Sequence, residues 1–223
     1  MSATANHLKN NVKYYSPFEE AVNIYSHLIG LGLSIAGLVF LIIRASTYGD
    51  VWHVVSFTIF GSSLIVLYSA SSIYHYAKKP VVRSRLRVFD HAAIYVLIAG
   101  TYTPFTLVTL HGVLGWSIFG ITWGMALIGI ILKIFYTGRF GIISTSMYIL
   151  MGWIIIFAIN PLIANFSAMG ISWLVAGGLS YTFGAILYSI KKVPLNHALF
   201  HILVLVGSSC HYIAVYYYVL PTP

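Results

Sequence analysis

The chain has 223 residues, of which 59% are hydrophobic and 7% are charged, whereas soluble globular domains carry about a quarter charged residues. This composition excludes a water-soluble globular protein. A formal net charge of +8 would suggest a nucleic-acid partner in a soluble protein, but here the basic residues separate apolar runs and meet lipid headgroups, so no nucleic acid is expected.

Seven apolar segments follow one another along the chain, each close to the roughly 20 residues that a membrane-spanning helix needs. They cover approximately residues 22–43, 53–76, 91–110, 115–136, 143–164, 171–190 and 198–220. The connections between them are short and leave no room for a second domain. We therefore predict an all-α membrane protein, in which a short N-terminal segment, residues 1–20, precedes a single seven-helix transmembrane domain, residues 21–220.

The basic residues predict how the bundle is oriented. When the connections are assigned alternately to the two membrane faces, one face collects Lys9, Lys13, Lys78, Lys79, Arg83, Arg85, Arg87, Lys133, Arg139, Lys191 and Lys192. The other face collects Arg44 alone. The positive-inside rule makes the first face cytoplasmic, so we expect a cytoplasmic N-terminus, an external C-terminus and a multi-pass protein of the cell membrane, inner or plasma.

Several polar residues lie within apolar spans, where each ionisable group costs a few kcal/mol and therefore needs a partner or a function. They are Glu20, Asn23 and His27 in the first span, Ser71 and His75 in the second, Asp90 and His91 opening the third, and His197 and His201 in the seventh. The first, third and seventh spans begin at the predicted cytoplasmic face, and the second ends there. These residues therefore share one depth, as a single site requires.

The histidines of this set predict a metal site. His197 and His201 are four residues apart, which places both imidazoles on one face of a helix. His75 is a candidate third ligand, and Asp90 and Ser71 are available to orient the rings or a water molecule. Three protein nitrogens with an open fourth position are typical of catalytic zinc, although imidazole also suits copper, iron and nickel.

A simpler interpretation remains open for several of these residues. His197 and His201 could be hydrogen-bonded to the backbone or to Glu20 without any metal. Glu20, Asn23 and His27 share one helix face, which suits a polar cap with interhelical hydrogen bonds as well as direct involvement in a site. We expect His27 to lie beside the ligands rather than among them.

Three other histidines are not expected to bind metal. His53 and His111 lie at the outer ends of their spans and are predicted to be interfacial. His211 lies two to three turns beyond His201 and is predicted to be a packing residue, with Ser208 and Ser209 as hydrogen-bond partners.

Taken together, the motifs resemble the hemolysin III family, the bacterial branch of the progestin and adipoQ receptor superfamily, from about Phe18 to Tyr218. The matching motifs are Glu20-x-x-Asn23-x-x-x-His27, Ser71-x-x-x-His75, Asp90 within VFDHAAIY, and His197-x-x-x-His201 followed by His211. The orientation of this family, opposite to that of rhodopsin-like receptors, agrees with the one obtained from the charges.

The resemblance also implies roles for individual residues. The chain is similar to the adiponectin receptors, in which zinc is bound by the histidine of S-x-x-x-H and both histidines of H-x-x-x-H. This implies that His75, His197 and His201 bind zinc, and that Asp90 contacts the water on the zinc and serves as general base. The long soluble N-terminal region of the animal receptors has no counterpart here, so hormone binding is not expected.

Three functions are compatible with this sequence. The leading hypothesis is a zinc-dependent hydrolase of lipid amide or ester bonds, ceramide-like by analogy with the animal relatives, with membrane lipids as partners and a lipid substrate or ligand inside the bundle. The second is a sensor of membrane state in which zinc is structural. The third is a channel, a proton-coupled transporter or a cytolytic protein.

Overall fold

The computed structural model describes residues 12–136 and 141–220, with the side chains of residues 141 and 142 left aside. Lys9, Arg139 and the first eleven residues of the predicted N-terminal segment lie outside this part of the chain. The described part is almost entirely helical, as predicted, and seven helices are long and apolar enough to cross a membrane. The predicted fold class is therefore confirmed.

The seven helices are α1 Pro17–Tyr48, α2 Val51–Tyr76, α3 Pro80–Leu110, α4 Gly112–Tyr136, α5 Ile143–Asn165, α6 Ala168–Ser189 and α7 Asn196–Val219. Short connections make consecutive helices alternate in direction, so α1, α3, α5 and α7 begin at the end of the bundle at which α2, α4 and α6 finish. We call this the basic end, because it carries the exposed side chains of Lys13, Lys78, Lys79, Arg85, Lys191 and Lys192. The opposite end is called the far end.

Two helices begin at least five residues before their predicted apolar runs. α1 begins at Pro17, where the Ser16 hydroxyl accepts a hydrogen bond from the backbone N–H of Glu19 at 3.2 Å and caps the helix. α3 begins at Pro80 rather than near residue 91, because its first turns are basic and do not count as an apolar run. Asp90 therefore lies ten residues inside α3, about 15 Å from its start, instead of opening the helix.

Irregular turns in α3 and α5 lie beside each other. Pro104 has no N–H to donate, and α3 continues beyond it as the π-helix Phe105–Leu110. The chain that forms α5 is broken into three helical pieces, Gly141–Gly152, of which the membrane-spanning helix counts from Ile143, then Ile154–Ala158 and Ile159–Asn165. The Tyr102 hydroxyl of α3 donates to the Gly152 carbonyl oxygen and accepts from the Ile155 N–H, both at 2.9 Å. It thereby satisfies backbone groups that the break in α5 frees.

α3 is the central helix and α5 the most peripheral. In the most apolar stretch of each helix, 72% of residues are buried within the protein for α3 but 17% for α5. α1 packs closely on α2, α2 on α3, and α6 on α7, whereas α5 approaches its neighbours at few points. This loose packing leaves a cavity that is lined mainly by α3, α5, α6 and α7.

Candidate metal centre

Three histidines from two helices converge at the basic end. His75 lies in the last turn of α2, and His197 and His201 occupy the first two turns of α7. The Nε2 atom of His197 lies 3.0 Å from Nε2 of His75 and 3.1 Å from Nε2 of His201. All three residues are buried. The structure thus brings together the three predicted ligands in a group that can hold a metal ion.

Hydrogen-bond acceptors fix the protonation of two of these rings. His75 Nδ1 lies 2.7 Å from Oε2 of Glu20, and a carboxylate can only accept, so Nδ1 is the donor. His201 Nδ1 lies 3.3 Å from the backbone oxygen of Asn23, which is also an acceptor. A neutral imidazole carries a single N–H, so both rings direct an Nε2 lone pair toward His197.

His197 cannot satisfy both lone pairs by hydrogen bonding, because its Nε2 atom offers at most one proton. A cation between the three nitrogens removes this conflict, since each nitrogen then acts as a ligand. Two nitrogens bound to tetrahedral zinc at 2.0–2.1 Å lie about 3.3 Å apart. The observed separations of 3.0 and 3.1 Å are close to this value, so the three histidines fit a metal ion.

Arg83 is a buried cation, although its place in the sequence predicts a residue of a connection. It pairs with the Glu20 carboxylate and is 2% exposed. It also donates to the backbone oxygens of His75 at 3.0 Å and of Lys13 at 3.1 Å. Arg83 therefore holds Glu20 against His75 and joins α1, α2 and α3. Pro80, a residue favoured at the first position of a helix, was the sequence signal that would have placed Arg83 inside α3.

The segment before α1 covers the histidine cluster. The Tyr15 ring stacks on the His197 ring with 4.5 Å between centroids and 11° between planes, and the Tyr188 ring lies 5.3 Å from His197. Burial raises the pKa of the Tyr15 phenol, so this side chain is neutral at physiological pH. Tyr15 precedes the first apolar run and forms no spacing motif with the histidines, so its contact with His197 is not predicted by the sequence.

Asp90 and Ser71 lie beside the cluster rather than within the group of ligands. Both line the cavity that His197 and His201 also line, and both are buried. The carboxylate of Asp90 comes from α3 and the hydroxyl of Ser71 from α2, one turn before His75. An acid and a hydroxyl thus border the space next to the three nitrogens.

Asn23 and His27 lie one turn apart in α1 and support the ligand rings. The backbone oxygen of Asn23 accepts from His201 Nδ1, and its side-chain nitrogen lies 3.5 Å from His75 Nδ1, which donates to Glu20. The His27 ring stacks on the His201 ring with 3.7 Å between centroids. His27 is not part of the group of three nitrogens. Asn23 and His27 therefore contact the ligand rings from α1 and help to orient them.

Comparison with known proteins shows the family of this chain. A family model described as "Haemolysin-III related" matches residues 15–212, a range that includes the three histidines and Asp90. The chain belongs to this family. As a haemolysin-III protein with seven helices able to cross a membrane, it is a multi-pass membrane protein, and the family resemblance predicted from its motifs is confirmed.

The similarity extends over whole chains. Hemolysin-3 of Bacillus cereus is 49% identical over 204 residues, which are 92% of this chain and 93% of that protein. The Hemolysin-3 homolog of Bacillus subtilis (strain 168) is 47% identical over 205 residues, 92% and 96% of the two chains. The human Monocyte to macrophage differentiation factor is 28% identical over 220 residues, 94% and 89% of the two chains, which supports the link to the wider superfamily.

His211 of this haemolysin-III chain lies apart from the three ligands. Its ring stacks on Tyr181 with 5.2 Å between centroids. The Ser208 hydroxyl bonds instead to the hydroxyls of Tyr68 at 2.8 Å and Tyr181 at 2.9 Å, and Ser209 donates to the backbone of its own helix. The packing role predicted for His211 agrees with this geometry, but the two serines predicted as its partners are bonded elsewhere.

An apolar cavity of about 230 Å³ extends from the histidine cluster into the bundle. Asp90 and His201 line it near the basic end, and mainly apolar side chains such as Phe105 line the rest. Ile156 of α5 and Val175 of α6 also line it, and they are 53% and 41% exposed. Residues of α5 and α6 that line the cavity are therefore also exposed on the outer surface of the bundle.

Proposed function

We propose that this protein is a zinc-dependent hydrolase that cleaves an amide or ester bond of a membrane lipid. One observation carries the proposal: three imidazole nitrogens converge at a site where two of the histidines, His197 and His201, line an apolar cavity together with the buried carboxylate of Asp90. A structural metal needs neither the cavity nor a carboxylate outside the ligand group. A hydrolase of lipids needs both.

His75, His197 and His201 would hold the zinc ion, and Glu20 and Asn23 would keep two of the rings in the required protonation state. Zinc with three histidine ligands supplies Lewis-acid polarisation of a carbonyl and lowers the pKa of water toward neutrality. Zinc is preferred over copper, iron and nickel as the proposed metal because the reaction needs no redox step.

Asp90 is the proposed general base and acid. Its carboxylate would accept a proton from the attacking water as the water oxygen bonds to the carbonyl carbon. It would then return that proton to the nitrogen or oxygen of the leaving group as the carbon–nitrogen or carbon–oxygen bond breaks. Ser71 lies on the same wall of the cavity, where its hydroxyl would bond to the substrate or to Asp90.

The cavity supports a substrate with a long acyl chain, such as a ceramide-like amide or a glycerol ester. Its apolar walls would hold the chain, and an entry between α5 and α6, where lining residues are exposed, would admit the chain without passage through water. We also propose that the basic end faces the cytoplasm of a cell membrane, following the positive-inside rule. Labelling of single cysteines introduced at Lys79 and Thr47, at opposite ends of the bundle, tests this orientation.

Metal analysis tests the proposed site. The purified protein should contain about one zinc ion per chain, and a His197→Ala, His201→Ala double variant should contain almost none. His53→Ala, at the far end, is the matched control and should keep its metal. Wild-type protein without bound metal after zinc loading would contradict the site, and copper or iron in place of zinc would contradict the proposed metal.

Hydrolysis is tested separately with Asp90→Asn. This variant should keep its zinc and its thermal stability in detergent while fatty-acid release from a panel of amide and ester lipids falls by about 10²-fold or more. If metal-loaded wild-type protein released no fatty acid, the proposed hydrolase activity would be wrong. If Asp90→Asn released fatty acid at the wild-type rate, the proposed role of Asp90 in hydrolysis would be wrong.

A sensor with structural zinc is the second candidate, and one observation favours it. Side chains rather than close backbone packing connect α2 and α7, namely the pairs Tyr68–Ser208 and His75–His197. A metal at the cluster would staple these helices together. If so, His75→Ala should lower the unfolding temperature as well as the metal content, whereas a purely catalytic zinc leaves a folded, inactive protein.

A further inference from the structure

Lys133 is a buried cation that the proposed reaction does not use. It is the one charged residue in the sequence of α4, and it is 6% exposed although it lies one turn from the end of the helix at Tyr136. A lysine so close to a helix end can extend its ammonium group to the membrane surface. Here the side chain points into the bundle instead, which indicates a function there.

The surroundings of Lys133 are rich in donors. Its Nζ atom donates to the Ser144 hydroxyl at 2.6 Å and lies 5.8 Å from the centre of the Tyr148 ring. Arg87 and Thr145 line the same cavity as Lys133, and Arg87 lies in the first turns of α3, at the end of the bundle where α4 finishes. Two cations and two hydroxyls from α3, α4 and α5 therefore line the cavity at the basic end.

The charge balance of the chain favours an anion at this place. The sequence contains four acidic residues against twelve basic ones. Asp50 lies at the far end of the bundle, so the basic end holds three acidic residues: Glu20, which bonds to His75 and Arg83, together with Glu19 and Asp90. Positive charge consequently exceeds negative charge at the basic end, and basic pockets between transmembrane helices are known sites for phosphate headgroups.

We propose that Lys133 and Arg87, with the hydroxyls of Ser144 and Thr145, bind the phosphate of an anionic phospholipid whose acyl chain occupies the cavity. Arg87 precedes Asp90 by three residues, about one helical turn, so the phosphate lies one turn closer to the basic end than the carboxylate. An ester bond a few atoms from the phosphate is then beside Asp90. This inference names the substrate class of the proposed hydrolase and rests on it.

Binding is measured without any reaction. Short-chain phosphatidylglycerol is titrated into the purified full-length protein in detergent, and the complex is quantified by native mass spectrometry. Phosphatidylcholine with the same chains, octanoate and inorganic phosphate are titrated in parallel. We expect phosphatidylglycerol to bind at least about tenfold more tightly than each of the other three, because only it combines an anionic phosphate with alkyl chains.

Variants assign this binding to the cluster. Lys133→Met and Arg87→Gln should each weaken phosphatidylglycerol binding about tenfold, whereas Lys133→Arg should retain it. Lys192→Met, in the exposed connection before α7, is the matched control and should bind as wild type does. If Lys133→Met does not fold, Arg87→Gln and Lys133→Arg decide the question.

The proposal is overturned if Lys133→Met and Arg87→Gln bind phosphatidylglycerol with wild-type affinity, or if phosphatidylcholine or octanoate binds as tightly. If inorganic phosphate bound with the same affinity, the site would be one for free phosphate and not for a phospholipid headgroup. Chelator-treated wild-type protein should still bind phosphatidylglycerol. Binding that depends on Lys133 in a protein without hydrolase activity would leave this site in place while the proposed function fails.

Discussion

The two ends of the bundle each bury an arginine, but they use it differently. At the far end, Arg44 donates to the Leu220 carbonyl oxygen at 2.7 Å and lies 5.0 Å from the Tyr216 ring. At the basic end, Arg83 donates to carbonyl oxygens at the end of α2 and also pairs with Glu20. Both arginines complement the negative C-terminal end of a helix.

The difference is the carboxylate. Arg44 bonds to the backbone at the C-terminal end of α7 and, within the part of the chain that the structure describes, has no bond to an acidic residue, so we expect it only to stabilise that helix end. Arg83 fixes Glu20, Glu20 bonds to His75 Nδ1, and His75 thereby directs Nε2 toward the other two histidines. Both arginines cap a helix, but only Arg83 also belongs to the site, because Glu20 connects it to the predicted ligand His75. Four variants test this comparison.

Arg83→Ala should have the largest effect. It leaves the Glu20 carboxylate beside α2 and α3 without its cation and removes the donor to the His75 carbonyl oxygen. Breaking a buried pair in this way costs about 3–5 kcal/mol. We expect a large fall in the unfolding temperature in detergent together with loss of metal. Arg85→Ala, two residues away and exposed, is the control. Equal stability of the two variants would contradict the role given to Arg83.

Glu20→Gln keeps the shape of the side chain but weakens its bond to His75. Partners of metal-bound histidines typically account for 10- to 100-fold in metal affinity, so the zinc dissociation constant should rise by about that factor. Competition with a chelator measures it. Glu19→Gln, one residue earlier, is the matched variant and should leave the affinity unchanged. An unaltered zinc affinity in Glu20→Gln would mean that Arg83 does not influence the metal site through Glu20.

Arg44→Leu tests the far end. It removes a hydrogen bond from a charged group to Leu220, so a loss of about 2 kcal/mol of stability is expected. Metal content and affinity should remain those of the wild type, because no carboxylate connects Arg44 to the histidines. Thermal unfolding and metal analysis of the same sample check both points. Loss of zinc in this variant would mean that the two ends are coupled.

Apolar length sufficed to predict seven helices, because a membrane-spanning helix has a nearly fixed length and leaves few alternatives. It failed where helices extend beyond the apolar run. The basic first turns of α3 resemble a connection, although Pro80 is a common first residue of a helix. This error of about three turns hid Arg83, which the structure places inside the bundle rather than at its surface.

Topology predicted the histidine cluster because it brings distant polar residues to one depth, as His75, His197 and His201 show. It could not predict what covers or neighbours the cluster. Tyr15 reaches His197 through the path of an irregular segment, and Lys133 turns inward by its choice of side-chain conformation. Neither the path of an irregular segment nor a side-chain conformation produces a periodic pattern in the sequence, so these two contacts could be seen only in the structure.

Asp50→Ala should have the smallest effect and tests whether the far end contributes only local stability. The Asp50 carboxylate accepts hydrogen bonds from the backbone N–H groups of Trp52 at 2.9 Å and His53 at 3.1 Å and so caps α2. Loss of such a cap costs about 1 kcal/mol, and Asp50→Ser should restore most of it. Metal affinity should not change in either variant.

The pH dependence of this cap has a defined sign. The bond between the side chains of Asp50 and His53 lowers the pKa of the Asp50 carboxyl group. A lowered pKa contributes stability that is complete above the unfolded value near 3.9 and is lost as the pH falls through the lower folded value. The stability difference between wild type and Asp50→Ala should therefore be constant from about pH 5 to 7 and shrink below about pH 4. If the stability difference between the two proteins instead grew as the pH fell, the ionised Asp50 would be repelled by its surroundings. The start of α2 would then need another explanation than a cap by Asp50.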